Sequence, residues 1–225
     1  IQLMKDVILV TGKNGHVTLI VARALLRRGY QVRAGVRDPA DIFKTAKLRT
    51  LENVELVRAE LLDPASLMEA TKGVAGVFHV AAGYKLHSND PQNEIYRPAL
   101  DGTKNILDAC AQNGVAKIIY TSSIATIGIS RDGVRRSEEN WNDEAHEFYA
   151  KAKTEAERLA WKIAAEKSLH LVSILPGAVI GPDFDRHTPT TYIFRKILLN
   201  QMPLKLDVAF PFIDVPDLAE AHVNA

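Results

Sequence analysis

The chain has 225 residues, 28 Lys and Arg against 27 Asp and Glu for a formal charge of +1, 47% apolar residues and one cysteine. That length supports a sizeable core, and its interspersed charges lack the basic stripe that phosphate-backbone binding needs, which argues against a nucleic-acid partner. Cys110 alone builds neither an intrachain disulfide framework nor a Cys-based metal site, so no metal is expected and a reducing, cytoplasmic setting fits best. The longest apolar runs fall far short of the roughly 20 residues that span a bilayer, and Lys5 and Asp6 before a short apolar strand do not make a secretory signal, so no membrane role is expected.

In chain order, short β-branched runs bounded by turn residues alternate with longer stretches at helical spacing. This predicts an α/β chain, a Rossmann-type doubly wound parallel sheet. Strands are expected near 6–11, 31–36, 54–59, 76–81, 116–122 and 169–175, with helices near 15–28, 64–72, 92–113 and 144–167. The strands are almost continuously apolar, as in Leu171-Val172-Ser173-Ile174-Leu175, which suits a sheet covered on both faces. Gly29 after Arg27-Arg28 reads as a helix stop. The polar stretch 128–143 and the Pro-, Gly- and Thr-rich stretch 176–203 read as excursions beyond strand carboxyl ends, where the loops of such a sheet border a ligand crevice.

Directly after the first strand, Thr11-Gly12-Lys13-Asn14-Gly15-His16-Val17-Thr18 opens the first helix. Glycines at the turn and three residues later let backbone N–H groups approach a pyrophosphate at a helix N-terminus, and strand, turn, helix and second strand come in the order a dinucleotide site requires. Lys13 is either a phosphate contact or a solvated residue. The second strand ends at Val36 and is followed by Arg37, with no acid at the tip to hold ribose hydroxyls. An arginine there accepts a 2′-phosphate, so NADP(H) is favoured over NAD(H), with Lys44 as a second phosphate partner. The alternative for Arg37 is a solvated residue paired with Asp38 or Asp41.

Tyr149 and Lys153 stand four residues apart in a segment rich in helix formers, on one helical face. An ammonium beside a phenol favours the phenolate and lowers its pKa from about 10, making Tyr149 a usable proton donor or acceptor. Ser123, at the carboxyl end of the fifth strand, shares the mouth of the glycine turn, where its hydroxyl can donate to a carbonyl oxygen; Ser122 is the alternative. His79, inside an apolar strand, reads as a core histidine and not a catalytic base.

These segments together resemble the extended short-chain dehydrogenase/reductases of the NAD-dependent epimerase/dehydratase superfamily, closest in pattern to the dihydroflavonol reductase and aldehyde/ketone reductase branch. The resemblance is carried by Thr11-Gly12, Val36-Arg37-Asp38-Pro39, Gly76 to Ala82, Asp101-Gly102-Thr103-Lys104-Asn105, Tyr120-Thr121-Ser122-Ser123, Tyr149 with Lys153, Pro176 to Pro182 and Phe212-Ile213-Asp214-Val215. It implies catalysis by Ser123, Tyr149 and Lys153, and coenzyme contacts from Thr11, Gly12, Asn14, Gly15, His16, Val17, Arg37, Lys44, Glu60, Leu61, Val80, Ala81, Ala82, Thr121, Tyr149, Lys153, Pro176, Gly177 and Val179. Glu60 stands where the family usually has Asp, beside the adenine. Thr18 departs further: Gly or Ala is usual there, and Thr is expected to push the helix outward or weaken coenzyme binding.

Tyr84, Lys85, Leu86, His87, the loop after Ile124 and Thr188 to Tyr192, with Tyr192 foremost, are expected to border the substrate, and Asp214 to be structural at the base of the substrate lobe. Residues 1–175 then form the NADP-binding Rossmann domain with the catalytic residues, and 176–225 the substrate-lobe elements and the return to the sheet. Family members continue well beyond this segment, so the lobe is expected to be incomplete in this chain.

The implied activity is an NADPH-dependent oxidoreductase passing a hydride to the carbonyl of a small or medium aldehyde or ketone, with Tyr149 as proton donor and a homodimer through the helices near 92–113 and 144–167. The rivals are a sugar-nucleotide epimerase/dehydratase or 3β-hydroxysteroid dehydrogenase-like enzyme using NAD, and a catalytically weak NADPH-binding regulator or scaffold.

Overall fold

The structure, a computed structural model, describes residues 6–12, 15–80, 88–128, 130, 133–182, 188–203, 209 and 211–225. The chain opens with β1 (Val7–Thr11), α1 (His16–Arg27), β2 (Gln31–Val36), α2 (Ile42–Arg49), β3 (Val54–Arg58), α3 (Pro64–Thr71) and β4 (Gly76–His79). A π-helical turn (Gln92–Tyr96) then leads into α4 (Arg97–Gln112), β5 (Lys117–Thr121), a 3-10 turn (Ile124–Thr126), α5 (Phe148–Glu166) and β6 (Leu171–Ile174). The chain ends through β7 (Ala178–Ile180), α6 (Pro189–Leu198), β8 (Phe212–Asp214) and α7 (Val215–Asn224).

Six parallel strands lie in the order β3-β2-β1-β4-β5-β6. The order reverses between β1 and β4, so the connections leaving those two strands diverge and open a crevice at their carboxyl ends. Neighbouring residues of one strand point to opposite faces. Leu9 packs with Leu67, Ile106 and Leu107 under α3, α4 and α5, while Ile8 and Val10 pack with Val21 and Leu25 on the face covered by α1, α2 and α7. Covering both faces is what makes these strands apolar at nearly every position. The last helix belongs to this layer: Val215 and Ala219 are fully buried, and Glu220 pairs with Arg27 at 3.0 Å and Arg28 at 2.7 Å.

Three local departures from the sequence reading have physical causes. The helix expected over 92–113 starts as a wider π turn, because Pro98 at the head of α4 has no N–H to complete the regular ladder. The helix expected from 144 starts at Phe148, because the chain before it is held elsewhere: Asn142 donates its backbone N–H to the Thr126 carbonyl at 2.7 Å and its side-chain amide to Ala125 at 2.9 Å. The short α2 went unanticipated; it buries only Thr45 and Leu48, too few apolar positions to set a helical period, and is started by Asp41 accepting from the Lys44 N–H.

The second excursion, 176–203, carries β7 and α6, and β7 pairs in parallel with β8 in a separate two-stranded sheet. Among the described residues, no helix is long and apolar enough to cross a membrane and no group of His, Cys, Asp and Glu is placed to hold a metal.

Candidate active site

The site begins where β1 hands over to α1. Gly12 donates its N–H to Gly35 across the strand ends at 3.3 Å, and a Cβ built on it would lie 2.1 Å from Thr18 Oγ1, so no side chain fits at position 12. Thr18 is almost wholly buried against that backbone. Gly15 caps α1 in extended conformation without a side chain, and no acidic residue lies in the first helical turn, where His16 and Val17 are half-buried. A close-approach glycine leading to an acid-free helix N-terminus at the sheet's switch point fits a dinucleotide pyrophosphate. Lys13, Asn14, Ala81, Ala82, Tyr84, Lys85, Leu86 and His87 lie outside the described residues.

Thr11 faces inward. Its hydroxyl meets His79 Nδ1 at 2.8 Å, and its carbonyl accepts from Val80 at 3.0 Å. His79 is 3% exposed and stacks on Tyr120, and burial, assisted by the charge of Lys153, pushes its pKa down to about 3. It is a neutral core histidine at physiological pH, as the sequence suggested.

At the tips of β2 and β3, Arg37 pairs through Nε with Glu60 Oε2 at 2.6 Å, in place of the Asp38 or Asp41 partners weighed from sequence. Asp41 instead holds Lys44 at 2.5 Å, a contact that keeps its carboxyl below the usual range. Leu61 is seated by α4: Asn105 Nδ2 donates to its carbonyl at 2.9 Å, and Gly102 leaves room for its side chain, which a Cβ there would approach to 3.0 Å. The run Asp101 to Asn105 thus shapes the wall beside the expected adenine site.

Tyr149, Lys153 and Glu157 succeed one another at four-residue spacing along α5, half-buried, 5% exposed and 3% exposed respectively. Lys153 Nζ donates to the Thr121 carbonyl at 3.3 Å, which applies this stripe to the end of β5. Burial pulls the Lys153 pKa down to about 8, and the charge of Glu157 opposes the fall, so the ammonium is still mostly protonated at neutral pH.

Glu157 accepts from Ser122 at 2.5 Å and Ser173 at 2.7 Å, with the Trp161 indole N–H at 3.4 Å. Ser122 is thereby committed to a buried carboxylate. Ser123 is different: its Oγ accepts from the Ala125 N–H at 3.2 Å, which leaves its own proton to donate. Of the two serines weighed from sequence, Ser123 is the one placed to donate.

Thr121 is fixed from the far side by α7. Its hydroxyl meets His222 Nε2 at 2.8 Å, while His222 Nδ1 lies 2.7 Å from the Leu218 carbonyl. A carbonyl only accepts, so Nδ1 carries the proton, Nε2 accepts and Thr121 donates. Sequence reasoning missed both Glu157 and His222. Glu157 carried a signal, its position on the Tyr149–Lys153 stripe; His222 carried none until α7 was docked.

Beyond β6, the Pro176 carbonyl accepts from Ile124 at 3.1 Å, and a Cβ on Gly177 would meet the Pro211 carbonyl oxygen at 2.3 Å. Val179 pairs with Ile213, and Asp214 caps α7 by accepting from the Val215 N–H at 2.9 Å. Tyr192 stands on α6, 47% exposed, with Lys196 Nζ 4.9 Å from its ring centre.

Residues 8–225 match the NAD dependent epimerase/dehydratase family. Among curated proteins, the chain is 34% identical to cinnamoyl-CoA reductase CAD2 of Medicago truncatula, over 98% of this chain and 72% of that protein. It is 35% identical to dihydroflavonol 4-reductase of Zea mays, over 97% of this chain and 66% of the relative, so it spans about two thirds of the length of the relatives it matches. Among solved structures, that of gox2253 superposes with a TM-score of 0.86 at 36% identity, covering 97% of this chain and 66% of the other.

Proposed function

The chain belongs to the NAD dependent epimerase/dehydratase family, and on that premise we propose that it is an NADPH-dependent reductase of a small or medium aldehyde or ketone. The observation that carries this reading is the stripe of α5, with buried Lys153 bonded to the Thr121 carbonyl two residues before Ser123. Oxidoreductase names among the relatives support it, as does the arginine following β2 for the choice of NADPH.

When bound, NADPH supplies the hydride. Ser123 donates a hydrogen bond to the substrate carbonyl oxygen and Tyr149 gives its phenolic proton to the alkoxide that forms there. Lys153 keeps a positive charge beside the phenol and eases release of that proton. Gly12, Gly15 and the head of α1 would hold the pyrophosphate, and Arg37 with Lys44 would hold the 2′-phosphate.

The test is NADPH oxidation against a panel of carbonyl compounds with Tyr149→Phe alongside. The variant is expected to lose about 100-fold or more in kcat while still binding NADPH. Full turnover by the variant would refute the proton-donor role, and turnover with NADH in preference to NADPH would refute the coenzyme assignment.

A further inference from the structure

Both cations offered to a 2′-phosphate already have anionic partners: Arg37 is paired with Glu60 at 2.6 Å and Lys44 with Asp41 at 2.5 Å. The two pairs differ in origin. Lys44–Asp41 is a contact within the first turn of α2 and its cap, three residues apart in sequence. Arg37–Glu60 joins the ends of two different strands, since β2 and β3 run side by side with Val36 opposite Arg58. Position 60 is therefore placed by the sheet within reach of the residue that follows the β2 tip, and a side chain as long as Glu closes the gap.

We propose that Glu60 sets coenzyme specificity: by pairing with Arg37 it holds the preference for NADPH over NADH to a narrow margin. The inference rests on the nucleotide-site reading above. A 2′-phosphate carries close to two negative charges and must come within a guanidinium's width of whatever group already occupies Arg37. The pair engages Nε, so a phosphate arriving at the Nη groups still stands beside the Glu60 carboxylate. Two effects of the pair oppose each other. Fixing the Arg37 side chain in advance favours binding by about threefold, the worth of one immobilised long side chain. Repulsion between a carboxylate and a nearby dianion at a solvent-facing site disfavours it by about tenfold or more. Repulsion wins, and it acts on NADPH alone, because NADH brings no charge to this spot.

Glu60→Gln removes the charge and keeps the shape. The loop does not depend on the carboxylate: the Glu60 N–H donates to Ser66 Oγ at 3.0 Å, and its carbonyl accepts from the Asp63 N–H at 2.9 Å. Titration calorimetry with NADPH and NADH, and with 2′,5′-ADP and ADP to remove the nicotinamide end, reads the effect without catalysis. Glu60→Gln is expected to tighten NADPH relative to NADH, and 2′,5′-ADP relative to ADP, about tenfold, the gain shrinking as salt rises. Glu60→Ala is expected to show the same selective gain, and Arg37→Gln to abolish the NADPH preference.

Equal shifts for both coenzymes would overturn the proposal in favour of an adenine contact. Weaker NADPH binding in Glu60→Gln would overturn it in favour of a pre-positioning role. If the parent protein binds none of the four probes, the nucleotide-site reading itself falls, and the inference with it.

Discussion

At the scale of single residues, the contact between Gly12 and Thr18 is the tightest constraint in the site. Only hydrogen fits at position 12 while Thr18 keeps its hydroxyl, since a Cβ would lie 2.1 Å from Oγ1 but 3.3 Å from the Thr18 Cβ. Gly12→Ala is therefore expected to cost about 2 to 3 kcal/mol of stability as an overpacked substitution. In a Thr18→Ala background most of that cost should disappear. Chemical denaturation of the two single variants and the double variant measures the coupling, and strict additivity would contradict the contact. The glycine was legible in the sequence because a strand–turn–helix transition demands it. That its neighbour's hydroxyl enforces the demand was not, because the separation of two atoms across a turn depends on how α1 is laid on the sheet.

Among the elements, α5 joins the Tyr149–Lys153 stripe to the sheet through Glu157. Its carboxylate accepts from serines of two adjacent strand segments and supports the charge of Lys153. Glu157→Ala leaves those hydroxyls buried without their acceptor and takes away the charge that supports the Lys153 ammonium, and a loss of about 3 kcal/mol is expected in urea unfolding. Glu157→Gln keeps an acceptor but removes the charge that raises the Lys153 pKa. The Lys153 pKa should then drop below about 8, moving the alkaline limb of the activity profile to lower pH. An unmoved limb would show that Lys153 does not feel Glu157. The helix itself was predictable from its formers and spacing. Its start at Phe148 was not, because the competing attachment of Asn142 to the 3-10 turn is a tertiary contact.

For the whole molecule, the buried histidines are a source of acid lability. Burial lowers the pKa of both His79 and His222, His79 to about 3. Below pH 6.5 the unfolded chain takes up protons that the folded chain refuses, so their contribution is fully present above 6.5 and is lost as pH falls towards the folded value. For His79 alone the loss at pH 4 is about 3 kcal/mol. His79→Asn should flatten the stability profile between pH 6.5 and 4, as read by denaturant midpoints at each pH; an unchanged slope would mean that His79 is not a source of acid lability.

The sequence by itself determined the alternation of strands and helices, the glycine turn, the basic residue after β2 and the placing of Tyr149 and Lys153 on one helical face. Each is written in local spacing and in the chemistry of single residue types. Tertiary structure alone decided which acid holds Arg37, which serine is consumed by Glu157, and that α7 returns to pin Thr121 through His222. Those contacts join residues 23, 35 and 101 positions apart, and the pairing of groups so distant in the chain is fixed by strand order and helix packing, which no local pattern encodes.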